Sequence, residues 1–156
     1  MALKCVYDAI LAKVYEQNHQ LDMDNWLTKA QAYRKAALAH PEVLAQVQTP
    51  SYEPFVVKGK DSEIYENDLL SVVGQELSAW SWLNDYYVKS GNRRAACLTA
   101  MNMAYSIAQL DSLMAAYGDL PEACELAIKR LSMMGSEYTN AQRADFIQES
   151  LKRWGE

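Results

Sequence analysis

An all-α fold is what the sequence predicts: a compact bundle of about six helices, built from antiparallel hairpins around a central alanine-rich helix. Three observations predict it. Apolar residues recur at helical spacing along most of the chain, with almost no alternating stretch of the kind a half-buried strand needs. Only 6 Gly and 4 Pro occur in 156 residues, so turns are few and helices long. Every fourth residue from Ala96 to Ala116 is small (Ala96, Ala100, Ala104, Ala108, Ser112, Ala116), and such a ridge lets a second helix backbone come close. The stretch Ala95 to Leu110 also lacks any charged side chain, as expected of a helix touched by neighbours on most sides. At this length one domain, 1–156, with its own hydrophobic core is expected.

The first helix is expected from about Ala2 to Gln20. Leu3, Val6, Tyr7, Ile10, Leu11, Val14 and Tyr15 fall on one helical stripe, which should be its inner face. Asp22 or Asp24 can cap a second helix with Trp26, Leu27, Ala30, Tyr33, Ala37 and Leu38 turned inward. It must end before Pro41, because the residue preceding a proline avoids the α region. Pro41 suits the first position of a short third helix through Val43, Leu44 and Val47.

From Thr49 to Asp61 the periodicity stops. Pro50 and Pro54 flank a short segment, and Phe55-Val56-Val57 leads into Lys58-Gly59-Lys60. Long irregular segments in small domains often carry function; a connector pinned by its apolar residues is the plainer reading. Ser62 or Asn67 should begin a helix running to Ser90, with Gly91 as a left-handed terminator. Asn92 should cap the alanine-rich helix and Gly118 end it. Pro121 opens a further helix with Leu126, Ile128 and Leu131, stopping near Gly135. Thr139 or Asn140 begins the last one, with Ala144, Phe146, Ile147, Leu151 and Trp154 inside.

Trp80, Leu83 and Tyr87, followed by Gly91 and Ala96, resemble the first helix and turn of a tetratricopeptide repeat. Gly118-Asp119-Leu120-Pro121-Glu122-Ala123 is similar to the turn of such repeats. The pattern departs at Asn84, where a small residue belongs, and at Ala100, where an aromatic does. It also lacks the closing proline, and Gly91 and Gly118 stand closer than the period of about 34 residues. The resemblance covers under a quarter of the chain and implies stacked antiparallel hairpins.

A net charge of −5 and a pI near 5.1 argue against broad binding to nucleic acid or anionic lipid. Lys4 and Asp8 interrupt the first fifteen residues, so no secretory signal is expected there. Ala95–Tyr117, the closest approach to a membrane span, carries Asn102, Gln109 and Asp111. Cys5, Cys97 and Cys124 are odd in number and lack CxxC spacing, which suits buried free thiols in a reducing, cytoplasmic setting.

Residues suited to chemistry are scarce. His19 and His40 lie at predicted helix ends, where a histidine is accounted for by the terminal carbonyls. Glu16-x-x-His19 has the spacing of a di-metal carboxylate site, but that architecture needs the pair twice. Asp61, Glu63, Glu66 and Asp68 form an acidic run that a helix N-terminus explains; a Mg²⁺ or Ca²⁺ site there is the sharper alternative. No glycine-rich phosphate loop, nucleophile elbow or Cys/His ligand spacing occurs. Cys97 and Cys124 as nucleophiles would need exposure and a basic neighbour.

Two groups of residues remain as a candidate partner-binding site. Trp80 and Trp82 point in nearly opposite directions on one helix, and with Tyr86 and Tyr87 they make helix 67–90 apolar on two faces. Burial on both sides explains this, and so does one inner face plus an exposed contact surface. Met101, Met103, Met133 and Met134 could add an adaptable surface. Arg93 and Arg94 sit in a first helical turn, where the dipole disfavours cations, so they are candidate contacts for an acidic partner or phosphate. The expectation is a non-enzymatic interaction protein without a cofactor: an adaptor, small chaperone, inhibitor or immunity-like factor. Its partner would be another protein, or a second copy through helix 67–90. A nucleic-acid-binding regulator using Arg93, Arg94 and nearby basic residues, and a metal-dependent enzyme with an acidic site around Glu63–Asp68 or at Glu16 and His19, are the alternatives.

Overall fold

The computed structural model describes residues 1–49 and 68–155, and these are all-helical. Among them are nine α-helices: α1 (Ala2–Gln17), α2 (Trp26–Ala37), α3 (Pro41–Ala45), α4 (Leu69–Glu76), α5 (Trp80–Ser90), α6 (Arg93–Met101), α7 (Ile107–Tyr117), α8 (Cys124–Met133) and α9 (Asn140–Trp154). No strand occurs among the described residues; Gln48 and Asp68 form an isolated antiparallel bridge. The Thr49–Asp61 segment beyond Thr49, and the residues Ser62, Glu63, Glu66 and Asn67, lie outside the described part. No helix among the described residues is long and apolar enough to cross a membrane. The chain forms two compact units, Met1–Leu83 and Asn84–Glu156.

In the first unit α1 packs along α2. The contact uses small residues. On α1 the buried positions are Ala2, Cys5, Val6, Asp8, Ala9 and Ala12, and on α2 they are Ala30 and Ala37. Small side chains at such positions let two helix backbones come close. The expected inner stripe of α1 therefore splits. Val6 is buried, but Leu3, Tyr7, Ile10 and Leu11 are 41%, 46%, 42% and 37% exposed. This corrects the assignment of α1's inner face: the small ridge wins the interior because nothing else in the hairpin can pack as closely.

The second helix opens without a side-chain cap of its own. Asp22 instead accepts the Asn25 amide just ahead of it, at 3.3 Å. Asp68 caps α4, its carboxylate taking the Ser71 amide at 2.7 Å. Leu44, Leu69, Leu70, Val73, Leu77 and Leu83 are buried here and make up the larger side chains of the interior.

The helix expected to run through to Ser90 is two helices. After Glu76 the chain turns at Ser78, whose φ is +52°. The Ala79 amide donates to Gly74 O at 2.8 Å and the Ser78 amide to Gln75 O at 2.9 Å, the pair of bonds that defines a Schellman ending. Gly91, with φ +78°, ends α5 in the same manner through Asn92 N to Tyr87 O and Gly91 N to Val88 O.

In the second unit each helix from α6 to α9 packs on the next in sequence. Asn92 caps α6 as expected, accepting the Ala95 amide at 3.1 Å. The alanine-rich segment is not one rod. It breaks after Met101 and restarts at Ile107, because Ser106 accepts the Gln109 amide while Gln109 Oε1 accepts the Tyr105 amide at 2.7 Å. Polar side chains that satisfy the first amides of a helix create a start wherever they stand. Ala96 and Ala104 on the small ridge are buried, whereas Ala108, Ser112 and Ala116 are exposed. Lys129 of α8 donates its ammonium to Met101 O, closing the carbonyl end of α6. Pro121–Ala123 is a 3₁₀ turn leading into α8. Thr139 and Gln142 form a reciprocal capping box on α9.

Candidate functional site

The candidate residues divide between the two units. Trp80 and Trp82 begin α5 in the first unit, and both are half-buried. Leu83, between their directions, is fully buried. In the second unit Tyr86 is half-buried and Tyr87 is 2% exposed. Their rings meet edge to face at 5.8 Å. Tyr87 therefore belongs to an interior, which removes it from an exposed aromatic face, while Trp80, Trp82 and Tyr86 keep part of their surface open.

Arg93 and Arg94 are each engaged. The Arg93 guanidinium reaches both oxygens of Asp119, donates to Ala116 O at 3.1 Å and lies over the Tyr117 ring. That partnership holds the Asp119 carboxyl below its usual range and raises the arginine further. Arg94 pairs with Glu122 at 2.9 Å. The sequence anomaly, cations in a first helical turn, is answered by carboxylates arriving from the turn before α8. Both arginines fasten that turn to α6.

The histidine and acidic candidates are also placed. His19 stacks on Trp26 with ring centroids 3.7 Å apart, and its Nε2 lies 2.7 Å from Glu16 O, the backbone oxygen. Glu16's carboxylate faces Arg34 instead, so the pair is not arranged as two metal ligands. Asp68 is a helix cap. Among the described residues no three His, Cys, Asp or Glu side chains gather to hold a metal ion. Burial raises all three thiols, and Cys97 most, to about 11, with Glu122 adding to the shift.

Sequence reasoning missed two surfaces. One is the outward stripe of α1. Its signal was available: Ala2, Cys5, Ala9 and Ala12 form a second, smaller stripe at helical spacing, and Ala30 and Ala37 offer a matching one. The other is a groove of about 240 Å³ between α8 and α9, lined chiefly by Ala127, Ile128, Leu131, Phe146, Ile147, Leu151 and Trp154. Among the described residues no charged side chain lines it. Of its polar side chains, Ser150 Oγ donates to Phe146 O at 2.8 Å and Trp154 Nε1 to Gly118 O at 3.2 Å, and the partly accessible Cys124 thiol completes the lining. Ile128 and Leu151 remain 59% and 61% exposed at its mouth. The α9 residues concerned were expected to be inside, and they face this groove instead of a closed core.

No protein family, curated protein or solved structure matches the chain.

Proposed function

We propose that this chain works by binding another protein, as an adaptor, small chaperone, inhibitor or immunity-like factor, and that it takes an apolar helix of its partner into the α8–α9 groove. The observation that carries the reading is the groove's lining. A lining that is predominantly apolar among the described residues, with the Ser150 hydroxyl and the Trp154 indole bonded internally, rewards apolar side chains. Its volume has room for about two or three aliphatic side chains, the number that one face of an amphipathic helix presents over two turns. A cytoplasmic setting goes with this reading. The nucleic-acid alternative is weaker, because a phosphate would have to displace Asp119 and Glu122 from the arginines.

The test is affinity capture from lysate of the source cells with the parent chain beside Ile128→Glu and Leu151→Glu. A polypeptide held by the parent and lost from both variants, which retain the parent's circular dichroism, supports the reading. Identical capture by all three proteins would overturn it.

A further inference from the structure

We infer that the outward face of α1 is a docking surface for a second copy of this chain, in an antiparallel α1–α1 pair about a two-fold axis. Leu3, Tyr7, Ile10 and Val14 follow one another at steps of four, three and four residues. A stripe with that rhythm reads the same from either end. Laid antiparallel, Leu3 of one copy faces Val14 of the other and Tyr7 faces Ile10, so each layer sets a larger side chain against a smaller one. Leu11 flanks the seam.

Charge favours the same occupant. Lys4 is drawn to Asp8 at 2.6 Å, and Lys13 is bonded to Glu76, leaving the stripe itself uncharged. A charged face would be desolvated there without compensation, whereas a second α1 brings none. The antiparallel arrangement also opposes the two helix dipoles, and a parallel one would align them. The exposed area fits a modest assembly. Four partly exposed large side chains and Val14 amount to roughly 350 Å² per copy, so a pair removes at most about 700 Å² in total, which limits it to a weak, reversible interface. The two-fold dimer is also the commonest closed assembly. No residue of the α8–α9 groove lies on the α1 stripe, and the Cys124→Ser change, which touches that groove, is confined to the cross-linking arm, so sedimentation here and partner capture there fail separately.

Sedimentation velocity over about 5 µM to 1 mM should show the mass moving from one chain toward two. Ile10→Glu, or Tyr7→Lys if that variant folds poorly, should hold the monomer throughout at unchanged helicity. In a Cys124→Ser background, mixing Tyr7→Cys protein with Ile10→Cys protein under mild oxidation should give cross-linked pairs in excess of either variant alone. A constant monomer mass at 1 mM overturns the inference. So does dimerisation indifferent to both substitutions, or cross-linking dominated by Ile10→Cys with itself.

Discussion

Arg93 and Asp119 are joined by two hydrogen bonds, Nη1 to Oδ2 at 2.7 Å and Nη2 to Oδ1 at 2.9 Å. Because the carboxyl is held below its unfolded value, its contribution to stability is complete above the ordinary aspartate range. That contribution is lost as the pH falls through the folded value. Asp22, lowered by Lys29, acts in the same direction. The urea midpoint should therefore decline on acidification below about pH 4, and Asp119→Asn should flatten that limb while lowering the neutral plateau slightly. An unchanged acid limb in Asp119→Asn would show the pair to be energetically silent.

Ser78 occupies the left-handed region with a side chain that disfavours it. Ser78→Gly should raise stability by about 1 kcal/mol, because glycine adopts this conformation without the Cβ penalty. Chemical denaturation of the two proteins measures it directly. A loss of stability would mean that the serine hydroxyl matters more than the backbone.

Gly74 leaves no space for a methyl group: an added Cβ would lie 2.5 Å from Leu83 Cγ. Gly74→Ala should cost about 1–3 kcal/mol through overpacking. Combined with Leu83→Ala, the two losses should sum to less than their separate values, since the second substitution removes the collision. Strict additivity would place the cost elsewhere.

The alanine hairpin inverts the usual ranking of core substitutions. Ala12→Leu or Ala30→Leu should destabilise by about 1–3 kcal/mol, since both sites are almost completely enclosed. Leu11→Ala on the same helix should change stability by well under 1 kcal/mol. Thermal melts of the three variants check the ordering, and the reverse order would refute the small-residue packing.

Thiol reactivity should separate the cysteines. Cys5 and Cys97 are buried and Cys124 is partly accessible. With its thiol near 11, Cys97 is about one part in a thousand thiolate at pH 8. Ellman's reagent should find at most one reactive thiol in the folded chain, assigned by Cys124→Ser, and three after denaturation.

Much of the helical layout was legible in the sequence because it rests on local chemistry. Pro41 at a helix start, Gly91 in a left-handed turn, Asn92 and Thr139 as caps each act within three or four residues of themselves. The break at Ser78 was hidden, because serine adopts that geometry only when the tertiary fold requires it. The break at Ser106 was legible in principle: Ser106-x-x-Gln109 has the capping-box spacing of Thr139-x-x-Gln142, and the uncharged run around it masked the signal. For α1, two stripes competed, and hydrophobicity alone favours the larger residues. The choice between them depends on the close approach of α2, a distance that no single-helix pattern contains. The candidate site divided on the same line. The cap chemistry around Arg93 could be read locally, whereas its partners Asp119 and Glu122 come from more than twenty residues away.

The methyl-lined seam between α1 and α2 has a consequence for how the first unit reaches its final state. Alanine has no rotamers to freeze, and the two helices are joined by the short connection 18–25, which contains the 3₁₀ turn His19–Leu21. This hairpin therefore orders with little loss of freedom and through near neighbours in sequence, the combination that speeds folding. A hairpin that forms first would give the leucines of α3 and α4 a surface to pack on.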